Sequence, residues 1–121
     1  MTKNRYQELK YFVRQYDEYK LRLKRIESGS HGTEIMQGIK NGWPSDYVSK
    51  MASDAAYLKR RIDIIERAAK GCDMEIGDFI LKAASRGYSF TKMKMIFDLP
   101  CERDMYYDRR KKFYILLDQE M

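Results

Sequence analysis

The sequence predicts an all-α protein: a long antiparallel helical hairpin, coiled-coil-like, over residues 1–71, followed by a C-terminal three-helix, helix-turn-helix unit over 72–121. Three observations lead there. Apolar residues recur at steps of three and four along both long segments of the N-terminal part, which is the period of a helix face. Only two prolines, Pro44 and Pro100, interrupt the 121 residues. From Asp73 onward the chain breaks into short periodic stretches, each closed by a turn signal.

The first segment, residues 4–27, places Tyr6, Leu9, Phe12, Val13, Tyr16, Tyr19, Leu23 and Ile26 on one helical face. Ser28-Gly29-Ser30 and Gly32 then stop it, because glycine accepts the left-handed backbone that ends helices. Ile35, Met36 and Ile39 allow a short helix over 33–40, ended by Asn41-Gly42, with Trp43 anchoring the loop. His31, the single histidine, reads as a loop residue, and without a second one a zinc site would lack ligands.

The second long segment has the clearest pattern. Val48, Met51, Ala55, Leu58, Ile62, Ile65 and Ala69 alternate steps of three and four, a heptad seam that meets another helix at a shallow angle. Ser45 suits its N-cap, Asp46 suits the positive end of its dipole, and Gly71 closes it. Each long segment has about 25 residues, roughly 37 Å of helix. One hairpin rarely buries every apolar position, so a homo-oligomer is expected.

The short elements follow. Asp73 caps a helix carrying Met74, Ile76, Phe79, Ile80, Ala83 and Ala84, ended by Arg86-Gly87. Ser89 caps a second over 90–97, with Met93, Ile96 and Phe97 apolar. Asp98-Leu99-Pro100 makes a tight break, since proline disfavours helix at Leu99. A third helix over 101–119 turns Met105, Tyr106, Phe113, Leu116 and Leu117 inward. Short second helix, tight turn and longer third helix are the proportions of a helix-turn-helix.

Charge narrows the function. The net charge is +6, and the pI is about 9.3, which favours polyanions. The excess lies in residues 1–70, with 15 Lys and Arg against 9 Asp and Glu; residues 71–121 hold nine of each. The C-terminal part is therefore patterned rather than basic. With Met105 and Phe113 inward, the third helix presents Arg103, Tyr107, Arg110 and Lys111 on its other side. Arg103 and Asp104 in its first turn suit base edges: arginine bonds guanine bidentately, and a carboxylate accepts from cytosine. Arg109, Arg110, Lys111 and Lys112 suit phosphate oxygens, which position a protein without specifying sequence.

Enzymatic readings find little support. The glycines follow no P-loop or dinucleotide spacing, no cofactor motif occurs, and Cys72 and Cys101 read as buried or capping residues. No apolar run approaches the ~18 residues of a membrane span, and no basic, apolar leader opens the chain. A cytoplasmic, non-enzymatic protein is expected.

Gly87-Tyr88-Ser89-Phe90, Phe97-Asp98-Leu99-Pro100, and Met105-Tyr106 followed by Arg109-Arg110-Lys111-Lys112-Phe113 resemble the sigma-region-4-like RinA/ArpU group of late transcription regulators of phages and prophages of Gram-positive bacteria. The likeness covers most of the chain in layout and residues 76–117 in motif. It departs at Lys94, where such motifs carry a small residue, and at Asp98, which replaces the usual turn glycine. The resemblance implies a sequence-specific regulator that binds double-stranded DNA, with the hairpin oligomerising or touching RNA polymerase. A small-terminase-like packaging protein and a helical protein–protein adaptor are the alternatives that share this layout.

Overall fold

The computed structural model describes residues 1–28 and 45–121, and the regular structure among them is helical throughout. The expected short helix over 33–40, His31, Trp43 and the side chains of Ser45, Asp46 and Val48 lie outside that description. No described helix is long and apolar enough to cross a membrane. The chain divides into two compact units, Asp17–Ile62, and Met1–Tyr16 with Asp63–Met121.

Helix α1 spans Lys3–Arg14 and α2 spans Tyr16–Glu27, with Gln15 alone between them. The Gln15 N–H bonds back three residues to the Phe12 carbonyl at 3.3 Å, a tighter step than the α-helical one. The single uninterrupted helix expected over 4–27 is thus two. Thr2 opens α1 by accepting the Arg5 N–H at 3.1 Å. Helix α3 runs over Ser45–Cys72.

In the smaller unit, Tyr19 of α2 and Leu58 and Ile62 of α3 are buried. The Arg61 guanidinium donates to the Tyr19 hydroxyl at 3.0 Å and lies over the Tyr57 ring at 4.3 Å. Lys59 pairs with Glu27 at 3.2 Å. Leu21 and Tyr57 remain about half exposed.

The larger unit holds α1, the end of α3, and three further helices: α4 (Gly77–Arg86), α5 (Phe90–Ile96) and α6 (Arg103–Glu120). Helix α1 packs on α4 and α6, and α4 packs on α5 and α6. Leu9, Val13, Ile65, Ile76, Ile80, Met93, Leu99, Phe113 and Leu117 are fully buried. Gly77 sets the closeness of α4 to α3: a Cβ there would lie 2.1 Å from the Ala69 carbonyl oxygen. Only a residue without a side chain permits that approach.

Asp73 caps the start of this unit differently from the sequence expectation. Its Oδ1 accepts the Glu75 and Ile76 N–H groups at 2.7 and 2.9 Å, forming a turn over 74–76 before α4 begins. That turn sends Ile76 inward and leaves Met74 97% exposed. Gly87 ends α4 at φ 72°, with the Tyr88 N–H returning to the Ala83 carbonyl at 2.9 Å. Ser89 caps α5 as expected, accepting the Lys92 N–H at 3.1 Å.

The turn between α5 and α6 solves its two irregularities locally. Asp98 takes the left-handed conformation at φ 53°, which Asp tolerates better than most residues. Phe97 and Leu99 both donate to the Met93 carbonyl at 3.2 Å, and Leu99 plugs the core. Lys94 reaches across, its Nζ donating to the Cys101 carbonyl at 2.9 Å and the Leu99 carbonyl at 3.3 Å. The long side chain ties the turn together where a small residue would have let helices approach.

Two expectations for inward residues and one helix boundary are corrected. Ile96 is 62% exposed, because Phe97 and Leu99 close the turn onto Met93 in its place. Helix α6 begins at Arg103 rather than 101, since Cys101 belongs to the turn that Lys94 holds. Met105 is 38% exposed, and the neighbouring Tyr106, packed against Phe90 at 5.3 Å, takes the inward position.

Candidate nucleic-acid interface

Side chains on a helix advance by about 100° per residue, so one buried stripe fixes every other direction. On α6 that stripe is Tyr106, Phe113 and Leu117. Arg103, Tyr107, Arg110 and Tyr114, at spacings of four, three and four, run along one flank of it. Asp104, Asp108, Lys111 and Ile115 point outward and are exposed. Arg109 and Lys112 fall on the other flank.

The structure thus separates the sequence-nominated residues. Arg103, Tyr107 and Arg110 come together: the Arg110 guanidinium lies over the Tyr107 ring at 4.6 Å and that of Arg103 at 5.8 Å. A cation over an aromatic face is held in place without losing its charge or its outward N–H donors. Lys111 adjoins them and is exposed, as is Asp104. Lys112 is exposed on the opposite flank.

Arg109 has a structural task. It donates to Asp73 at 3.0 Å and to Asp108 at 2.6 Å, tying α6 to the turn before α4. The Asp73 hydrogen bond, above all, pushes its pKa up. Asp73 in turn sits below the usual carboxylate range, chiefly because it accepts the Ile76 N–H and also the Glu75 N–H and Arg109. A phosphate would have to displace these partners to reach Arg109.

Tyr107, Arg110 and Tyr114 of this flank line a groove beside α1. One cavity of about 730 Å³ is lined by Lys3 and Tyr6 from α1 and by Tyr107, Arg110, Lys111 and Tyr114 from α6, among others. A smaller hollow of about 190 Å³ adjoins Lys10 and Arg14 of α1, Tyr88 and Ser89 of the α4–α5 turn, and Arg110. Tyr6, Arg110 and Tyr114 line both. No carboxylate lines either one. The floor is aromatic, with Tyr6 and Tyr114 edge to face at 5.0 Å. Burial pushes the Tyr114 hydroxyl up to about 12, so it adds no negative charge near neutral pH.

Lys3, Lys10 and Arg14 line these hollows and are candidate residues that the sequence did not single out. Their only signal was the positive excess of the N-terminal part; that α1 lies beside α6 is a tertiary fact. Cys72 and Cys101 are buried free thiols. Cys72 donates to the Ala69 carbonyl at 3.1 Å, and burial pushes its thiol up to about 11, so little thiolate forms at neutral pH. Comparison with protein-family models, curated proteins and solved structures returned no match.

Proposed function

We propose that the chain binds double-stranded DNA through α6 and acts as a sequence-specific transcriptional regulator of the phage and prophage kind. In this reading α5, the turn over 97–102 and α6 form a helix-turn-helix, with α6 as its recognition helix. The observation that carries it is the flank Arg103–Tyr107–Arg110 with Lys111, in which Arg103 and Lys111 are exposed, Tyr107 and Arg110 are half-buried, and the bordering groove has no carboxylate in its lining. Arg103 and Asp104, in the first turn of α6, reach base edges. Arg110 and Lys111 take phosphate oxygens, with Tyr107 holding the Arg110 guanidinium flat and aimed. Lys112 meets the backbone from the other flank, and Arg109 serves the fold instead. The smaller unit, with Leu21 and Tyr57 exposed, supplies the contact for self-association or for polymerase.

The test is binding to a pool of duplex DNA at several salt concentrations, comparing wild type with Arg110→Ala/Lys111→Ala. Loss of two phosphate contacts lowers affinity and reduces the slope of log K against log salt by about 2. The far-UV circular dichroism of the variant stays that of wild type. Unaltered affinity and slope in the folded variant would remove this reading.

A further inference from the structure

We infer that α1 carries a second phosphate-binding site, built from Lys10 and Arg14 with Arg110, that receives a DNA backbone phosphate beside α6. This inference rests on the DNA-binding reading for the identity of its ligand, though not for the site itself.

The site is the hollow of about 190 Å³ where α1, the α4–α5 turn and α6 meet. Lys10 and Arg14 are one helical turn apart on α1, so both point to the same side. Arg110 enters from α6, and Tyr88 and Ser89 close the far end. Three cations therefore converge on one hollow from two helices, and its lining includes no acid to neutralise them. Like charges that line one hollow repel one another, and an anion between them relieves the repulsion.

Tyrosine rings hold two of the three cations in place. Lys10 lies over the Tyr6 ring at 5.3 Å, and Arg110 over Tyr107 at 4.6 Å. Arg14 presses against Gly87 so closely that a Cβ there would stand 2.7 Å from its guanidinium nitrogen. Gly87 thus serves twice, ending α4 in the left-handed conformation and admitting the arginine.

Size and continuity choose the occupant. Pockets for drug-sized molecules begin at roughly 300 Å³, above the volume here, so the hollow suits one anionic group rather than a whole nucleotide. It shares Tyr6, Arg110 and Tyr114 with the larger groove that carries Lys3 and Lys111. A row of cations along a groove matches a polymer of phosphates better than an isolated anion. Phosphate is the shared chemistry; the backbone of DNA and a free phosphorylated molecule are its two sources.

The experiment has two arms on the full chain, each comparing wild type with Lys10→Gln/Arg14→Gln. In the first, inorganic phosphate is titrated against isotope-labelled protein at constant ionic strength, and the amide resonances of Gly87 and Tyr88 are followed. They shift in wild type and stay fixed in the variant. In the second, duplex DNA binding is measured against salt, and the slope falls by about 2 in the variant. If the double variant does not fold, Lys10→Gln alone lowers the slope by about 1. Amides unmoved by phosphate in wild type would overturn the site. Phosphate binding with an unchanged DNA slope would overturn the DNA backbone as its source and assign a free phosphorylated molecule. A wild-type chain that binds no DNA would sink the proposed function, while the first arm still decides the site.

Discussion

Replacing Gly77 with alanine tests the packing that holds the larger unit together. The added Cβ would meet the Ala69 carbonyl oxygen at 2.1 Å and its carbon at 2.9 Å. Carbon and carbonyl oxygen approach no closer than about 3.3 Å in ordinary contacts, so α4 has to retreat by about 1 Å. Both partners are backbone, and no side chain can rotate out of the way. Ile76 and Ile80, fully buried on either side of Gly77, move with it. A gap of that size forfeits a quarter to a half of their contact energy, and overpacking typically costs about 1–3 kcal/mol. Against this, alanine gains up to about 1 kcal/mol of helix propensity over glycine. The clash wins, leaving a net loss of up to about 2 kcal/mol, or up to roughly 8 °C in melting temperature. Gly71→Ala is the control, because there the Cβ meets only the Cδ1 of Leu116, at 3.0 Å, on a half-exposed side chain that can turn aside. It should be neutral or stabilising by up to about 1 kcal/mol. Urea unfolding followed by circular dichroism reads both. A Gly77→Ala protein as stable as Gly71→Ala would refute the close approach of α4 to α3.

Two further outcomes follow from the capping and turn contacts. The Asp73 carboxyl has a lowered folded pKa, so its contribution to stability is present above the unfolded carboxylate value, about 3.9, and disappears as pH falls through the folded one. Asp73→Asn should therefore lose stability at neutral pH and show a shallower acid limb below pH ~4 in thermal melts; an unchanged limb would deny Asp73 this role. Lys94→Met keeps the apolar stem but removes the bonds to the Leu99 and Cys101 carbonyls and the pair with Glu102. It should cost about 1–2 kcal/mol in urea titrations, and no measurable loss would show that the turn holds without them.

The elements that sequence reasoning recovered are those whose signals are local. Ser89 as a cap and Gly87 as a stop follow from hydrogen bonds made within a few residues. The seam residues Leu58, Ile62, Ile65 and Ala69 are buried, as their spacing predicts. Ile64, Ala68 and Cys72 are buried as well, because the end of α3 packs with the larger unit on more than one side. A single heptad seam cannot signal a second partner. Helix α6 shows the same limit. Met105 and Tyr106 are adjacent apolar residues, and periodicity alone could not say which faces inward. The Phe90 ring, sixteen positions earlier than Tyr106, decides it. That choice also fixes the candidate interface, since turning the helix by one residue would exchange the flank of Arg110 for that of Arg109.

The same reasoning explains how a segment with no net charge can present a positive surface. Five of its nine carboxylates are engaged in ion pairs: Asp73 and Asp108 hold Arg109, Glu102 holds Lys94, Asp118 pairs with Arg5, and Glu120 pairs with Arg67. Two of those partners, Arg5 and Arg67, come from the N-terminal part of the chain. That basic excess neutralises two acids of α6. Lys3, Lys10 and Arg14 add positive charge to the linings of the two hollows. Arg103, Arg110 and Lys111 are left with tyrosine rings or solvent for company, and no carboxylate among the described residues lies within ion-pair distance of them. Charge separation across the unit is thus produced by docking α1 and α3 against α6. Removing α1 would return α6 to a helix of mixed charge with little preference for a polyanion.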